Sequence, residues 1–161
     1  MIFVTVGNAT QPFARLLEAV DDLSGKGVFH GEPVFMQTGH NENFRPRHSR
    51  AEAFLPAERF LECTKEARLI ICHGGCGTLL RAIGLGKTPV VMPRLSRYGE
   101  HINDHQLQLV RALAEEGRIV PAFEVADLPR AIEEAWQRKQ QPPPKGPMLE
   151  LVGEAIKELL I

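Results

Sequence analysis

The sequence His73-Gly74-Gly75-Cys76-Gly77-Thr78 follows directly on the apolar run Leu69-Ile70-Ile71-Cys72 and leads into Leu79, Leu80 and Ile83 at helical spacing. A buried strand that turns through glycines into a helix leaves backbone N–H groups without intrahelical acceptors, at the positive end of the helix dipole. Missing side chains let a ligand approach those groups. The turn through Gly74, Gly75 and Gly77 and the helix start after it therefore suit a phosphate or diphosphate. A tight turn in which the glycines only relieve steric demand accounts for the same residues equally well. The pattern is neither G-x-G-x-x-G after a first strand nor a P-loop, because Lys87 follows the helix rather than the loop.

A second concentration of chemistry is Tyr98-Gly99-Glu100-His101-Ile102-Asn103-Asp104-His105-Gln106. Side chains of this kind supply donors and acceptors for sugar hydroxyls and a uracil-like ring. Part of the cluster is also explained as helix capping: Glu100, Asn103 and Asp104 suit a first helical turn. Capping does not explain two histidines and a glutamine beside them. His73 and His101 are the weak candidates for a general base, and a histidine at a strand end is by default a structural hydrogen-bonding group.

These groups need a scaffold, and the hydrophobic pattern supplies one. Short apolar runs at 2–6, 33–37, 69–72, 88–92 and 118–121 read as strands. Between them lie amphipathic helices: one opened by Pro12 with Phe13, Leu16, Leu17 and Val20 on a stripe, one at 56–67, one at about 101–116 stopped by Gly117, and one capped by Asp127 and running to Trp136. Residues 39–50 show no period and read as a mobile surface loop carrying Arg45, Arg47, His48 and Arg50. Strands alternating with helices predict an α/β fold, Rossmann-like and doubly wound around a mostly parallel sheet. The predicted organisation is an α/β domain over 1–137, a Pro-rich linker over 138–147 and an amphipathic helix over 148–161. That helix is expected either to dock a partner or to cover its own sheet.

Composition narrows the functions. The 161 residues suit one domain, and 19 Lys+Arg against 20 Asp+Glu give a net charge of −1, which argues against nucleic-acid binding through bulk charge. Cys63, Cys72 and Cys76 have neither disulfide nor zinc spacing, so reduced thiols, a cytoplasmic location and no metal are expected. The N-terminus lacks a basic leader, and no stretch approaches the roughly 20 apolar residues of a membrane span.

Taken together, Phe3-Val4-Thr5-Val6-Gly7 with Pro12-Phe13-x-Arg15-Leu16, His73-Gly74-Gly75-x-Gly77-Thr78, Gly86-Lys87, Met92-Pro93-Arg94 and Glu100-His101-x-Asn103-Asp104-His105-Gln106 resemble the glycosyltransferase family 28 C-terminal domain. More narrowly they resemble the stand-alone small, donor-binding subunits of two-component glycosyltransferases, of the exopolysaccharide glucuronosyltransferase type. The resemblance implies the C-terminal lobe of a B-type, two-lobed fold that binds a UDP-sugar as substrate, with no cofactor and no metal. Gly74, Gly75, Gly77 and Thr78 would contact the diphosphate, His105 and Gln106 the donor sugar with Asp104 nearby, and Gly7 would lie on the inter-lobe loop. Relatives place a ribose-binding carboxylate where this chain has Arg81, so either Glu100 substitutes or ribose is held differently. A helix N-terminus is worth up to about 2 kcal/mol. Rate enhancements need about 8 kcal/mol or more. Acceptor positioning and a base must supply the remainder; the resemblance implies that they come from the other lobe, expected on a separate, membrane-associated partner. The alternative is a non-enzymatic nucleotide-sugar-binding or regulatory subunit; a UDP-sugar epimerase is disfavoured by length.

Overall fold

The computed structural model describes residues 1–138. Its centre is a six-stranded, all-parallel sheet in the order β3-β2-β1-β4-β5-β6. The strands are β1 (Ile2–Thr5), β2 (Val34–Gln37), β3 (Arg50–Glu52), β4 (Leu69–His73), β5 (Val90–Met92) and β6 (Val120–Pro121). The helices are α1 (Ala14–Gly25), α2 (Ala57–Glu66), α3 (Cys76–Gly84), α4 (His105–Glu115) and α5 (Leu128–Gln137).

Alternation along each strand divides the core in two. Ile2, Val4, Val34, Met36, Leu69, Ile71, Val90 and Met92 meet Leu16, Leu17 and Val20 of α1 and Leu128, Ala131, Ile132 and Ala135 of α5. On the other face Phe3, Phe35, Ile70, Cys72 and Val91 meet Cys63 of α2, Leu79, Ala82 and Ile83 of α3, and Leu109, Val110 and Leu113 of α4. Strands covered on both faces explain the continuous apolar runs of β1 and β4. All three cysteines are free thiols.

Two local expectations are corrected. The stretch read as an aperiodic, mobile loop ends in β3, whose Arg50, Ala51 and Glu52 pair with Phe35, Met36 and Gln37. It is also tied down by side chains distant in sequence. Asp21 accepts from the amides of Arg47 (2.8 Å) and His48 (3.0 Å), and Asn41 accepts from Phe13 N–H at 2.6 Å. Such anchors carry no periodic signal. The helix expected from about residue 101 begins at His105 instead. Asn103 Oδ1 accepts the His105 amide, and the Asp104 carboxylate is drawn back to the amide (2.9 Å) and hydroxyl (3.0 Å) of Ser96, so residues 99–104 fold as a loop. Gly117 ends α4 with φ +68, as its sequence position predicts.

The linker and the amphipathic segment over 148–161, with their alternative docking roles, lie outside the described residues apart from Arg138. Among the described residues no helix is long and apolar enough to cross a membrane.

Candidate functional site

The strand order reverses between β1 and β4. Chain leaving β1 goes to α1 on one face, and chain leaving β4 goes to α3 on the other. The carboxyl ends of these two strands therefore flank a crevice, the position at which open α/β sheets bind ligands. Gly7 stands on one side of it and His73, Gly74 and Gly75 on the other.

His73 closes the floor. It is 8 % exposed, Nδ1 lies 3.4 Å from Gln106 Nε2, and Nε2 is buried without a hydrogen-bond partner. The ring is clamped between two glycines. A Cβ on Gly7 would stand 2.6 Å from His73 Nε2, and a Cβ on Gly75 would enter the ring at Cε1. Gly7 also has φ +73, which other residues rarely adopt. Burial, with smaller contributions from the charges of Arg94 and His101, pushes the His73 pKa down to about 3, the Gln106 contact opposing it. So low a pKa makes the neutral imidazole a weak proton acceptor, and Nε2 is shut away from solvent.

That burial predicts an acid sensitivity. The unfolded chain takes up a proton near pH 6.5 that the folded chain refuses until about 3, so stability falls as pH drops through that window. Between pH 6.5 and 5 the loss is about 2 kcal/mol. Urea unfolding of wild type at pH 7 and pH 5 should show it, and His73→Asn should not. An identical pH response in both proteins would place the titrating group elsewhere.

The three glycines after β4 have different reasons. A Cβ on Gly74 would press on Val110 Cγ2 (2.9 Å) and Gln106 Cβ (3.0 Å) of α4, and Gly75 makes room for His73. Packing accounts for both. Gly77, in contrast, faces open space, with nothing within 4 Å of a Cβ. It is exposed on the first turn of α3, where a glycine costs helix stability and serves no packing purpose. With Thr78 it borders a cavity of about 340 Å³ that also takes in Gly7, Asn8, Gln37, Leu55, Ala57, Phe60 and Arg81. The amides leading α3 have no acceptor within the helix.

The second predicted cluster is split by the structure. Gln106 is turned inward: Oε1 accepts the amides of Gly74 (3.0 Å) and Arg94 (3.1 Å), so it joins the turn after β4 to the turn after β5. The Gly74 N–H is thereby committed to the protein. Glu100, one of the two alternatives for holding ribose, is 3 % exposed and forms a two-pronged pair with Arg15, Nε–Oε2 and Nη2–Oε1 both at 3.0 Å. Its Oε1 also accepts the Leu95 amide at 3.1 Å. His101, Asn103 and His105 are partly exposed and Asp104 exposed, on the loop and first turn of α4. Asp104 is held below the ordinary carboxylate range by the amide and hydroxyl of Ser96.

The sequence pattern includes Arg94 but gives it no role. It is fully buried, and Nη1 donates to Gln11 O (2.7 Å) and Glu100 O (2.9 Å) while Nη2 donates to Val6 O (2.6 Å). Its guanidinium lies 5.1 Å from the Phe13 ring centroid. Burial lowers its pKa to about 10, so it remains a cation at neutral pH. Arg94 thus fixes the loop after β1 to the loop after β5, the two walls of the crevice. The apolar run ending in Met92-Pro93 was legible; a buried arginine after it was not.

Residues 1–159 match the model of the glycosyltransferase family 28 C-terminal domain. The chain belongs to that family. The family 28 domain is also similar to solved structures. Against the solution structure of ALG13 the identity is 20 %, covering 97 % of this chain and 96 % of that one, with a TM-score of 0.65. Against the glycotransferase of kitacinnamycin it is 17 %, covering 98 % and 37 %, TM-score 0.61. Against MurG of Acinetobacter baumannii it is 18 %, covering 96 % and 49 %, TM-score 0.51. The family 28 domain thus spans well under half the length of the kitacinnamycin enzyme. At these identities the likeness establishes the fold: the six-stranded Rossmann-like architecture is that of the C-terminal lobe of B-type glycosyltransferases.

Proposed function

We propose that this family 28 domain binds a UDP-sugar and, together with a separate acceptor-binding lobe, transfers the hexose to an acceptor hydroxyl. The observation that carries the reading is Gly77. It is the one glycine of the turn that packing leaves unexplained, and it opens the first amides of α3 onto a cavity at the switch point. In the proposed complex the diphosphate rests on the α3 N-terminus at Gly75, Gly77 and Thr78, and the nucleoside occupies the cavity toward Leu55 and Phe60. The donor sugar extends toward the loop bearing His101, Asn103, Asp104 and His105.

Transfer breaks the bond between the anomeric carbon and the diphosphate oxygen as the acceptor oxygen attacks from the opposite face. The electron pair leaves on UDP, where oriented N–H groups stabilise the growing charge without requiring a metal. The hydroxyl proton goes to a base. His73 is unsuited to that task, which favours a base on the partner lobe. That partner is proposed to be membrane-associated and to present a lipid-linked acceptor, as in the small-subunit exopolysaccharide glucuronosyltransferases; the domain would then act in the cytoplasm, peripheral to the membrane. A binding-only subunit is the competing reading.

Gly77→Leu tests the site. Leucine is a good helix former at an open position, so thermal stability should hold or rise slightly. UDP affinity by calorimetry should fall about ten-fold or more as the side chain fills the approach to the amides. UDP uptake unaffected by Gly77→Leu would remove the nucleotide from this cavity. With the partner reconstituted, turnover surviving loss of UDP binding would defeat the transferase reading.

A further inference from the structure

The end of the sheet away from the crevice carries a cavity that the proposed transfer does not use. β4 pairs with β1 from Leu69 onward but with β5 only from Ile71, which lies opposite Val90. Beside Leu69 and Ile70 is a cavity of about 230 Å³, bordered by Lys87 at the approach to β5 and by Ala135 and Arg138 at the end of α5. That is several times the roughly 30 Å³ of one water, enough for a phosphate-sized group.

The lining has one sign. Arg68, Lys87 and Arg138 border the cavity, and among the described residues no acidic side chain does. The carboxylates that meet these cations do not line it. Glu32 accepts from Arg68 Nη1 at 3.3 Å, and Glu134 accepts from Arg138 Nη2 at 2.9 Å while also lying 3.9 Å from Arg130. Lys87 has no acidic partner among the described residues. Its ammonium donates to the carbonyls of Lys65 (2.6 Å) and Ala67 at the end of α2, which leaves one of its three protons over. Capping a helix C-terminus accounts for where Lys87 points. Neutral carbonyls leave its charge unmatched, and burial pushes its pKa below the ordinary lysine value. Arg68 is held over the Trp136 ring, 4.5 Å from the centroid, so part of the donor set is ordered before a ligand arrives.

The other end of the sheet differs in kind. Phe54, Tyr98, Ile102 and Val125, the large apolar side chains exposed among the described residues, all follow carboxyl ends of strands. The cation-lined end thus offers charge without apolar anchors, which suits a small dissolved anion better than a lipid surface. We propose that this cavity is a second anion site, taking a free phosphate group (inorganic phosphate or a small phosphate ester) between Arg68, Lys87 and Arg138. A bound phosphate bridges the approach to β5 and the end of α5, and so fastens that helix to the sheet.

The test is calorimetry of sodium phosphate into the full chain at constant ionic strength, for wild type, Lys87→Gln, Arg138→Gln and Gly77→Leu. Wild type should take up phosphate at millimolar concentration, with a rise in Tm. Lys87→Gln and Arg138→Gln should each weaken uptake about ten-fold, since each removes a charge-assisted hydrogen bond. Arg138 is exposed, so its variant keeps the test open should loss of the Lys87 cap disturb α2. Gly77→Leu should retain the uptake. No uptake by wild type, or uptake unmoved by both glutamine variants, overturns the proposal whatever the fate of UDP. Uptake lost only in Gly77→Leu places the phosphate at the α3 turn, which overturns the second site and supports the donor site. Binding to phosphatidylglycerol vesicles that Lys87→Gln abolishes, without uptake of inorganic phosphate, makes the ligand a membrane headgroup and overturns the free-anion assignment.

Discussion

Arg94→Met is expected to destabilise the domain by about 4 kcal/mol, as hydrogen bonds to charged groups are worth about 1.5–3 kcal/mol each and removing one side of a buried charged contact costs about 3–5. The side chain is fully buried and satisfies the carbonyls of Val6, Gln11 and Glu100. Methionine fills a similar volume but leaves all three acceptors unpaired in the interior. Domains of this size have roughly 5–15 kcal/mol in total, so the loss is a large fraction of the whole. It corresponds to a fall in Tm of about 8–16 °C. Lysine should not rescue, since one ammonium on a flexible stem cannot reach three carbonyls arranged around a planar fork. Thermal unfolding of wild type, Arg94→Met and Arg94→Lys checks this; a lysine variant within about 1 kcal/mol of wild type would mean that charge, not geometry, holds the walls together.

The same residue shows where sequence reading stops. β1 and β4 were legible because strands covered on both faces must be apolar throughout, and that is a local property. The turn after β4 was legible as glycine-rich, but not the separate reason for each glycine. Gly74 answers to Val110, Gly75 to His73, and only Gly77 to open space. Arg15 and Glu100 are 85 positions apart and Arg94 and Val6 are 88, so nothing in the neighbourhood of either announces its partner. Polar residues in loops were therefore assigned to ligand when several were committed to each other. Glu100 is the clearest case: a carboxylate in a polar stretch at a strand end looks available, and the fold spends it on Arg15. Gln106 is the second, since its carbonyl serves two amides that come from different turns.

This redistribution leaves a crevice whose walls are rigid and whose free groups are few. The floor is His73 with its two flanking glycines, and the walls are held by Arg94 and Gln106. The groups still open to a ligand are the leading amides of α3, the lining of the adjoining cavity and the partly exposed side chains of the loop before α4. A glycine turn with open leading amides beside a less committed polar loop fits the proposal of a lobe that fixes the donor and leaves acceptor chemistry to another surface.

The floor makes the second strong prediction. Gly75→Ala should cost about 3 kcal/mol, because the new methyl enters the space of the His73 ring and overpacking of a buried site typically costs about 1–3 kcal/mol or more. The ring has little room to retreat: Gly7 lies so close that a Cβ there would stand 2.6 Å from Nε2, and Gln106 Nε2 lies 3.4 Å from Nδ1 on the other side. The backbone at Gly75 has φ −76 and ψ 131, open to alanine, so the cost is steric and not conformational. That distinction is measurable. His73→Ala alone should destabilise by about 1–2 kcal/mol through the cavity it leaves. In the double variant the added methyl occupies part of that cavity, so the two costs should fall short of their sum by at least about 1 kcal/mol. UDP affinity, reduced in Gly75→Ala by displacement of the α3 amides, should return in the double variant. Strictly additive stabilities would show that the alanine strains the turn itself, and that the imidazole is a bystander to the geometry of the proposed diphosphate site.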